Sequence, residues 1–226
     1  TLLVRALGTL TAGDPGFRSA DIMVFSVQPL EDRYPDEKTL DVLRADLLEA
    51  LAGRPEIASA TALTPLPRAP FSRQTTVRVA GDEEVPSEVT PTAAWVGVSP
   101  DYLATYDIEL RSGRWITDAD GRDAEPVAVV TEAFVRRYFP DRAPLGQRLV
   151  LDTDPSVPGP DPEPRRIVGV VADVALQRLE ANAVPLPAVY LPTGQIPMRA
   201  TAFAVRAAGP IEPLGRAIRE AVATVD

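Results

Sequence analysis

Two hydrophobic periods alternate along the chain. From Asp36 to Ala52, Leu40, Leu43, Leu47 and Leu51 recur on one helical face, with Asp41, Arg44, Asp46 and Glu49 on the other. Asp36 can cap the N-terminus, Glu37 sits favourably in the first turn, and Gly53 followed by Pro55 stops the helix. A second stripe of Ile211, Leu214, Ile218, Val222 and Val225 predicts a closing helix, with Pro213 tolerable only in its first turn. Elsewhere the period is that of strands. Asp21 to Gln28 is apolar on both faces and reads as a central strand. Further strands are predicted at 57–63, 74–80 (half-exposed), 89–98, 126–131, 149–151, 166–174, 189–191 and 202–207. Thr131 can cap a short helix that turns Phe134, Val135, Tyr138 and Phe139 to the core and ends at Pro140. At the start, Leu3, Leu7 and Leu10 recur at helical spacing before Gly13-Asp14-Pro15-Gly16. That opening is expected to be the end of a longer helix or a terminal helix of the domain.

The order of these elements predicts an α+β fold. Strand, helix, strand opens the chain, as a right-handed βαβ unit or half of a split one, and strand–helix closes it. The two long helices carry matching single stripes, so they are expected to cover one face of one sheet, with residues 95–199 inserted as a second lobe. The heart of the insertion, 95–149, reads as strand, short helix opened by Ser99-Pro100, an extended turn-rich passage, strand, helix and strand. The polar, Pro-rich loop from Asp152 to Pro164 is assigned no regular structure.

Composition narrows the chemistry. The 226 residues suffice for a sizeable core, and a net charge of −9 disfavours a nucleic-acid site or an anionic membrane surface. The chain has no cysteine and no histidine, so disulfides, thiol catalysis, the usual general base and the usual transition-metal ligand are missing. Its longest uncharged run, Ala181 to Met198, carries Pro185, Pro187, Pro192 and Pro197 and does not read as a membrane span. Gly97-Val98-Ser99-Pro100-Asp101 has the start of a nucleophile elbow without its closing glycine, and Ser99 reads better as a helix N-cap. Asp118-Ala119-Asp120-Gly121-Arg122-Asp123 has part of a calcium loop, but the register puts Ile116 and Val127 at ligand positions, which favours an Asp-rich turn. No acidic pair is singled out by spacing, and Gly169 stands alone where a phosphate cradle needs several glycines. No catalytic, metal or cofactor-binding residue is therefore expected. Trp95 and Trp115 are expected in the core. Phe71, between Arg68 and Arg73 in a Pro-rich loop, is a candidate for exposure to a partner.

Several segments, taken in order, carry a family resemblance. They are DPGFRSADIMVFSVQP, LAGRPEIASATALTPLP, GVSPDYLATYDIELRSGRWIT, PVAVVTEAFVRRYFPDRAPLGQRL, RRIVGVVADV, VYLPTGQ and FAVRAAGP. Over nearly its whole length the chain resembles the extracytoplasmic (periplasmic) core domain of MacB-type, FtsX-like ABC transporter permeases. The resemblance implies a porter-like split βαβ lobe from 17–94 plus 200–226, an inserted mixed α/β Sabre-like lobe at 95–199, and an extension of a preceding membrane helix at 1–16. It implies a non-catalytic domain without cofactors, on the outer side of a bacterial cytoplasmic membrane, coupling cytoplasmic ATP hydrolysis to export or to action on an extracytoplasmic partner. The implied partners are membrane helices of the same chain, a second permease copy or half, a cytoplasmic ABC ATPase and an adaptor or cargo. Arg68, Phe71 and Arg73 would then lie at a lobe tip as partner contacts. Asp107 stands where such proteins commonly carry glycine, and Asp is among the residues that tolerate a left-handed backbone. Two other readings remain open: a free-standing extracytoplasmic ligand- or protein-binding module, and a hydrolase using a carboxylate pair.

Overall fold

The structure, a computed structural model, describes residues 3–9, 21–64, 74–80, 92–152, 160–173, 185–197 and 201–225. Both chain ends build one sheet. Strand β2 (Ile22–Gln28) and strand β3 (Ile57–Leu63) flank β11 (Thr201–Ala207), which runs antiparallel to both. Of the two topologies that strand–helix–strand allows, the split one is present: the C-terminal strand sits between the two strands that α1 (Glu37–Ala52) connects. α1 and α4 (Leu214–Val225) cover one face of this sheet. Leu43, Leu47 and Leu51 from α1 meet Leu214, Ile218 and Val222 from α4 over Phe25 and Phe203, a cross-strand pair stacked at 5.3 Å between ring centroids. Each such buried side chain stabilises the fold by about 1.5–3 kcal/mol. Asp36 caps α1 as its sequence position predicts: its carboxylate accepts from the Thr39 N–H at 2.8 Å.

At the N-terminus the helical expectation fails. Leu3–Thr9 is β1, an antiparallel neighbour of β2 with an irregular register between Arg5 and Gly8. Gly8 and Thr9 are poor helix formers, and the open edge of β2 offers a hydrogen-bond ladder, so tertiary pairing overrides the leucine spacing.

The middle of the chain closes on itself. β5 (Thr92–Val98) pairs with β10 (Ala188–Pro192), β10 with β7 (Val127–Thr131), β7 with β9 (Arg165–Val171), β9 with β8 (Arg148–Asp152), β8 with β4 (Gln74–Val79), and β4 returns to β5. Six strands thus form a barrel. Its interior takes alternate residues of the strands, among them Val77, Trp95, Val130, Leu149, Ile167 and Val189, with the alternation shifted by one in β9, where Val170 follows Ile167 inward. Helix α3 (Glu132–Tyr138) adds Phe134, and Phe139 follows it into the same cluster. Thr131 caps α3, its hydroxyl accepting from the Phe134 N–H at 3.3 Å. The turn-rich passage contains one strand the hydrophobic pattern does not reveal, β6 (Leu110–Gly113), exposed throughout and paired with the C-terminal half of β9. The two backbones touch there. Gly113 has φ 74°, and a Cβ on Gly169 would lie 2.1 Å from the Arg114 carbonyl oxygen.

A third cluster joins barrel and sheet. Ile22, Leu63, Ala202 and Ala204, on the sheet face away from the long helices, pack with Val96, Val129 and Tyr190, which point outward from the barrel. Helix α2 (Tyr102–Tyr106) contributes Tyr102 and Tyr106 to this layer. The strand connection between the two parts is short: β3 and β5 share one register pair, Leu63–Val98. α2 ends on Asp107 in the left-handed conformation, φ 57° and ψ 45°, so the turn survives without glycine.

Candidate functional site

The sequence-highlighted residues that the structure describes are scattered, with Ser99 and Trp115 at the junction and Trp95, Gly169 and the 118–123 turn elsewhere. Ser99 follows β5 and is buried, but it is not the cap of α2. The helix is preceded by Asp101, whose side chain makes no capping bond. Ser99 Oγ instead accepts from the Ala62 N–H at 2.9 Å and lies 2.9 Å from the Thr61 hydroxyl. The reason is positional. The β3–β5 ladder ends at Leu63–Val98, and the hydroxyl satisfies a β3 donor beyond it. Thr64 does the converse, its hydroxyl accepting from the Gly97 N–H at 3.1 Å. The Ser99 side chain is thus buried and engaged with β3.

Around it lies an aromatic layer. Tyr102 packs against Tyr106 at 4.6 Å and Tyr190 at 5.3 Å between centroids, and Trp115 lies 5.9 Å from Tyr190. The Trp115 indole donates to the Pro100 carbonyl at 2.7 Å. Burial pushes the phenols of Tyr102, Tyr106 and Tyr190 well up, so none ionises in the ordinary range. Arg206 on β11 closes the layer, donating to the Thr105 carbonyl at 2.8 Å and to both Asp21 oxygens at 2.6 and 2.8 Å. Trp95 is in the barrel interior, as expected of a core tryptophan.

The acidic run 118–123 is a tightly tied turn. Asp120 is buried, takes both nitrogens of the Arg114 fork at 2.7 Å each, and accepts from the Thr117 N–H at 2.9 Å. Burial alone would raise its carboxyl, but Arg114 and Thr117 together outweigh burial and hold it below the usual range. Asp118 and Asp123 point to solvent, and among the described residues no three carboxylates converge. Arg122 leaves the turn and reaches Glu37 and, at 3.0 Å, Asp41 on α1.

Two further polar residues carried no signal in the sequence. Gln195, in the single-turn helix Thr193–Gln195, accepts from the Val127 N–H at 3.2 Å and donates to the carbonyls of Gly121 and Glu125 at 3.3 and 3.1 Å. Arg165 is fully buried at the start of β9 and donates to Gln195 Oε1 at 3.1 Å. Burial pulls its guanidinium down, and Glu163 and Asp161 act the other way. Both sit in stretches of turn and strand whose pattern resembles many others, so only the fold brings them together.

The partner-contact candidates Arg68, Phe71 and Arg73 lie outside the described residues, as do 153–159 of the Pro-rich loop. The strands flanking those two segments are adjacent. Thr76 of β4 is opposite Asp152 of β8, and the Thr75 hydroxyl donates to the Asp152 carbonyl at 2.6 Å. Among the described residues no helix is long and apolar enough to cross a membrane.

This geometry has relatives. The fold is similar to the crystal structure of the periplasmic region of MacB from Actinobacillus actinomycetemcomitans, with a TM-score of 0.56 and 17% identity over 91% of this chain and 84% of that one. It is also similar to a domain of a protein described as a permease from Porphyromonas gingivalis, with a TM-score of 0.52 and 18% identity over 79% of this chain and 76% of that one. In sequence, the chain is 26% identical over 94 residues to the macrolide export ATP-binding/permease protein MacB of Aggregatibacter actinomycetemcomitans. That match takes in 42% of this chain and 13% of the relative's length. The family described as the MacB-like periplasmic core domain matches residues 4–221, and the chain belongs to that family.

Proposed function

We propose that the chain is the extracytoplasmic domain of an ABC transporter permease in a bacterial cytoplasmic membrane and that its work is mechanical. Membrane helices of the same polypeptide carry the closure of a cytoplasmic ATPase into the domain, which moves against cargo, an adaptor or another extracytoplasmic partner. The family match over residues 4–221 carries this reading. The state of the polar candidates supports it: Ser99 holds the β3 edge, Asp120 holds a turn, and the junction tyrosines stay neutral. The helix-backed sheet, drawn from 17–94 and 200–226, acts as the porter-like lobe, and 95–199 acts as the Sabre-like insertion, which the barrel strand β4 (Gln74–Val79) joins from the first segment. A preceding membrane helix leads in at 1–16, where Leu3–Thr9 pairs with the sheet as β1. The domain works beside a second permease copy or half. Arg68, Phe71 and Arg73 touch the partner.

The test uses the full-length protein, cysteine-free apart from Val42→Cys on the exposed side of α1. A membrane-impermeant maleimide should label it in cells whose cytoplasmic membrane is intact; labelling only after lysis of that membrane overturns the location. Replacing the whole barrel, residues 74–199, with a short linker should abolish transport while ATP hydrolysis in membranes persists. Transport that survives the replacement removes the mechanical reading. A folded Phe71→Ala variant with full transport removes the contact assignment alone.

A further inference from the structure

The turn that resembles a calcium loop has a use the transport reading does not include. Its root is fixed to the barrel. Gln195 binds the carbonyls of Gly121 and Glu125 while Val127 N–H and the buried Arg165 donate to it, and Arg114 with Thr117 holds Asp120 from inside the turn. Its tip is Arg122, which crosses to the first two turns of α1. There Glu37 and Asp41, four residues apart on one helix face, receive its two terminal nitrogens, and Asp41 also receives Arg44. A guanidinium held out on an arm already ordered by five hydrogen bonds or ion pairs of its own loses little further freedom on binding.

The contact also sits at a telling place. On one side of the junction, barrel and sheet share a backbone connection one register pair wide, Leu63–Val98. Arg122 supplies an ionic connection by a second route, through a helix on the opposite face of the same sheet. Its partners' side chains keep 43% and 34% of their exposure, so the pairs are open to screening and reversible. We propose that this turn is a clasp: Arg122 ties the start of α1 to the barrel and fixes the angle between barrel and helix-backed sheet about the β3–β5 crossing.

The chain contains no cysteine, so two introduced ones can carry spin labels without background. Val42→Cys on α1 and Ser112→Cys on β6 are both exposed positions, one on each part. Pulsed EPR should give one narrow distance distribution in the parent. Arg122→Ala, and Arg122→Gln as a second variant that keeps more of the side chain, should broaden or shift it by several ångström with the far-UV spectrum unchanged. Molar salt should do the same to the parent, the screening length falling to about 3 Å. Exchanging the charges, Arg122→Glu with Glu37→Arg and Asp41→Arg, should narrow the distribution again. A parent-like distribution in both Arg122 variants overturns the clasp. Broadening that the exchange does not reverse overturns its ionic basis. Neither outcome bears on whether the domain serves a permease.

Discussion

The barrel and the helix-backed sheet solve the same burial problem differently. In the barrel, six strands enclose their own apolar side chains, and one short helix closes the interior with Phe134. The sheet has one face covered by α1 and α4 and would leave the other wet without the barrel. Closure removes strand edges, whereas the sheet keeps β1 on its outer side. The difference teaches where cooperativity must come from. Each part has a private core, and the aromatic layer around Tyr102 and Tyr190 is common property.

The strongest way to break this comparison is to damage each private core in turn. Phe203→Ala in the sheet and Phe134→Ala in the barrel each remove a fully buried ring and should cost about 3–5 kcal/mol. The two parts report separately. Both tryptophans, Trp95 and Trp115, belong to the barrel and its junction, while the long helices belong to the sheet. Unfolding followed by tryptophan fluorescence and by helical circular dichroism should coincide for both variants, because the shared layer couples the parts. Separated midpoints would show two independent folding units and defeat the argument.

A smaller effect sharpens the barrel side. Gly169→Ala drives a methyl group into the Arg114 carbonyl where β6 crosses β9. The strands must part, at about 1–3 kcal/mol. Hydrogen exchange should quicken most at the β6–β9 pairs, Leu110 to Gly113, where opening is local, and across β2 and β11 by no more than the fall in global stability. Quickening across β2 and β11 as large as that at β6 would mean that the strands do not part locally.

Asp120→Asn tests the polar side of the same region. The Asp120 carboxyl is held below its unfolded value, so near pH 4 the unfolded chain binds more protons than the folded one. Its contribution is complete above the unfolded pKa of about 3.9 and is lost as pH falls through the lower folded value. The substitution should cost about 1–2 kcal/mol at pH 7, the scale of charged hydrogen bonds reduced for the half-exposed Arg114. The gap between parent and variant should close as pH drops below 4. A gap that persists at pH 2 would mean the loss comes from packing.

What the sequence shows of this fold follows the same division. The leucine stripe of α1 and the stripe of α4 specify both helices and the face they cover, because an amphipathic helix must bury one side whatever its partner. Alternation in Trp95, Val130, Leu149 and Val189 likewise marks strands, but period two says only which residues share a face. It does not say that β4 returns to β5, so the barrel was invisible strand by strand. The leucines of 3–10 misled because helical spacing and a free sheet edge compete for one short segment, and the edge lies 14 (Thr9–Met23) to 25 (Leu3–Gln28) residues away in sequence. Ser99 misled for a related reason: a hydroxyl before a helix has a local partner in prospect, and here a distant one, Ala62, took it. The residue proposed as a clasp leaves a fainter trace still. Arg122 reads as an intruder in an acidic turn until α1 is placed beside it.

The smallest effect concerns the joint itself. Asp107 ends α2 at φ 57°, a conformation that costs a side-chain-bearing residue about 1–2 kcal/mol, less for Asp, and glycine nothing. Asp107→Gly removes that strain but makes the unfolded chain more flexible, so the net gain should be below about 1 kcal/mol. Asp107→Val, β-branched and without a local hydrogen-bonding group, should lose more than glycine gains. Thermal midpoints of the three proteins order them. Glycine highest and valine lowest places the strain in the backbone of the junction. If valine matches aspartate, the left-handed turn carries no strain there, and Asp107 has no part in how barrel and sheet meet.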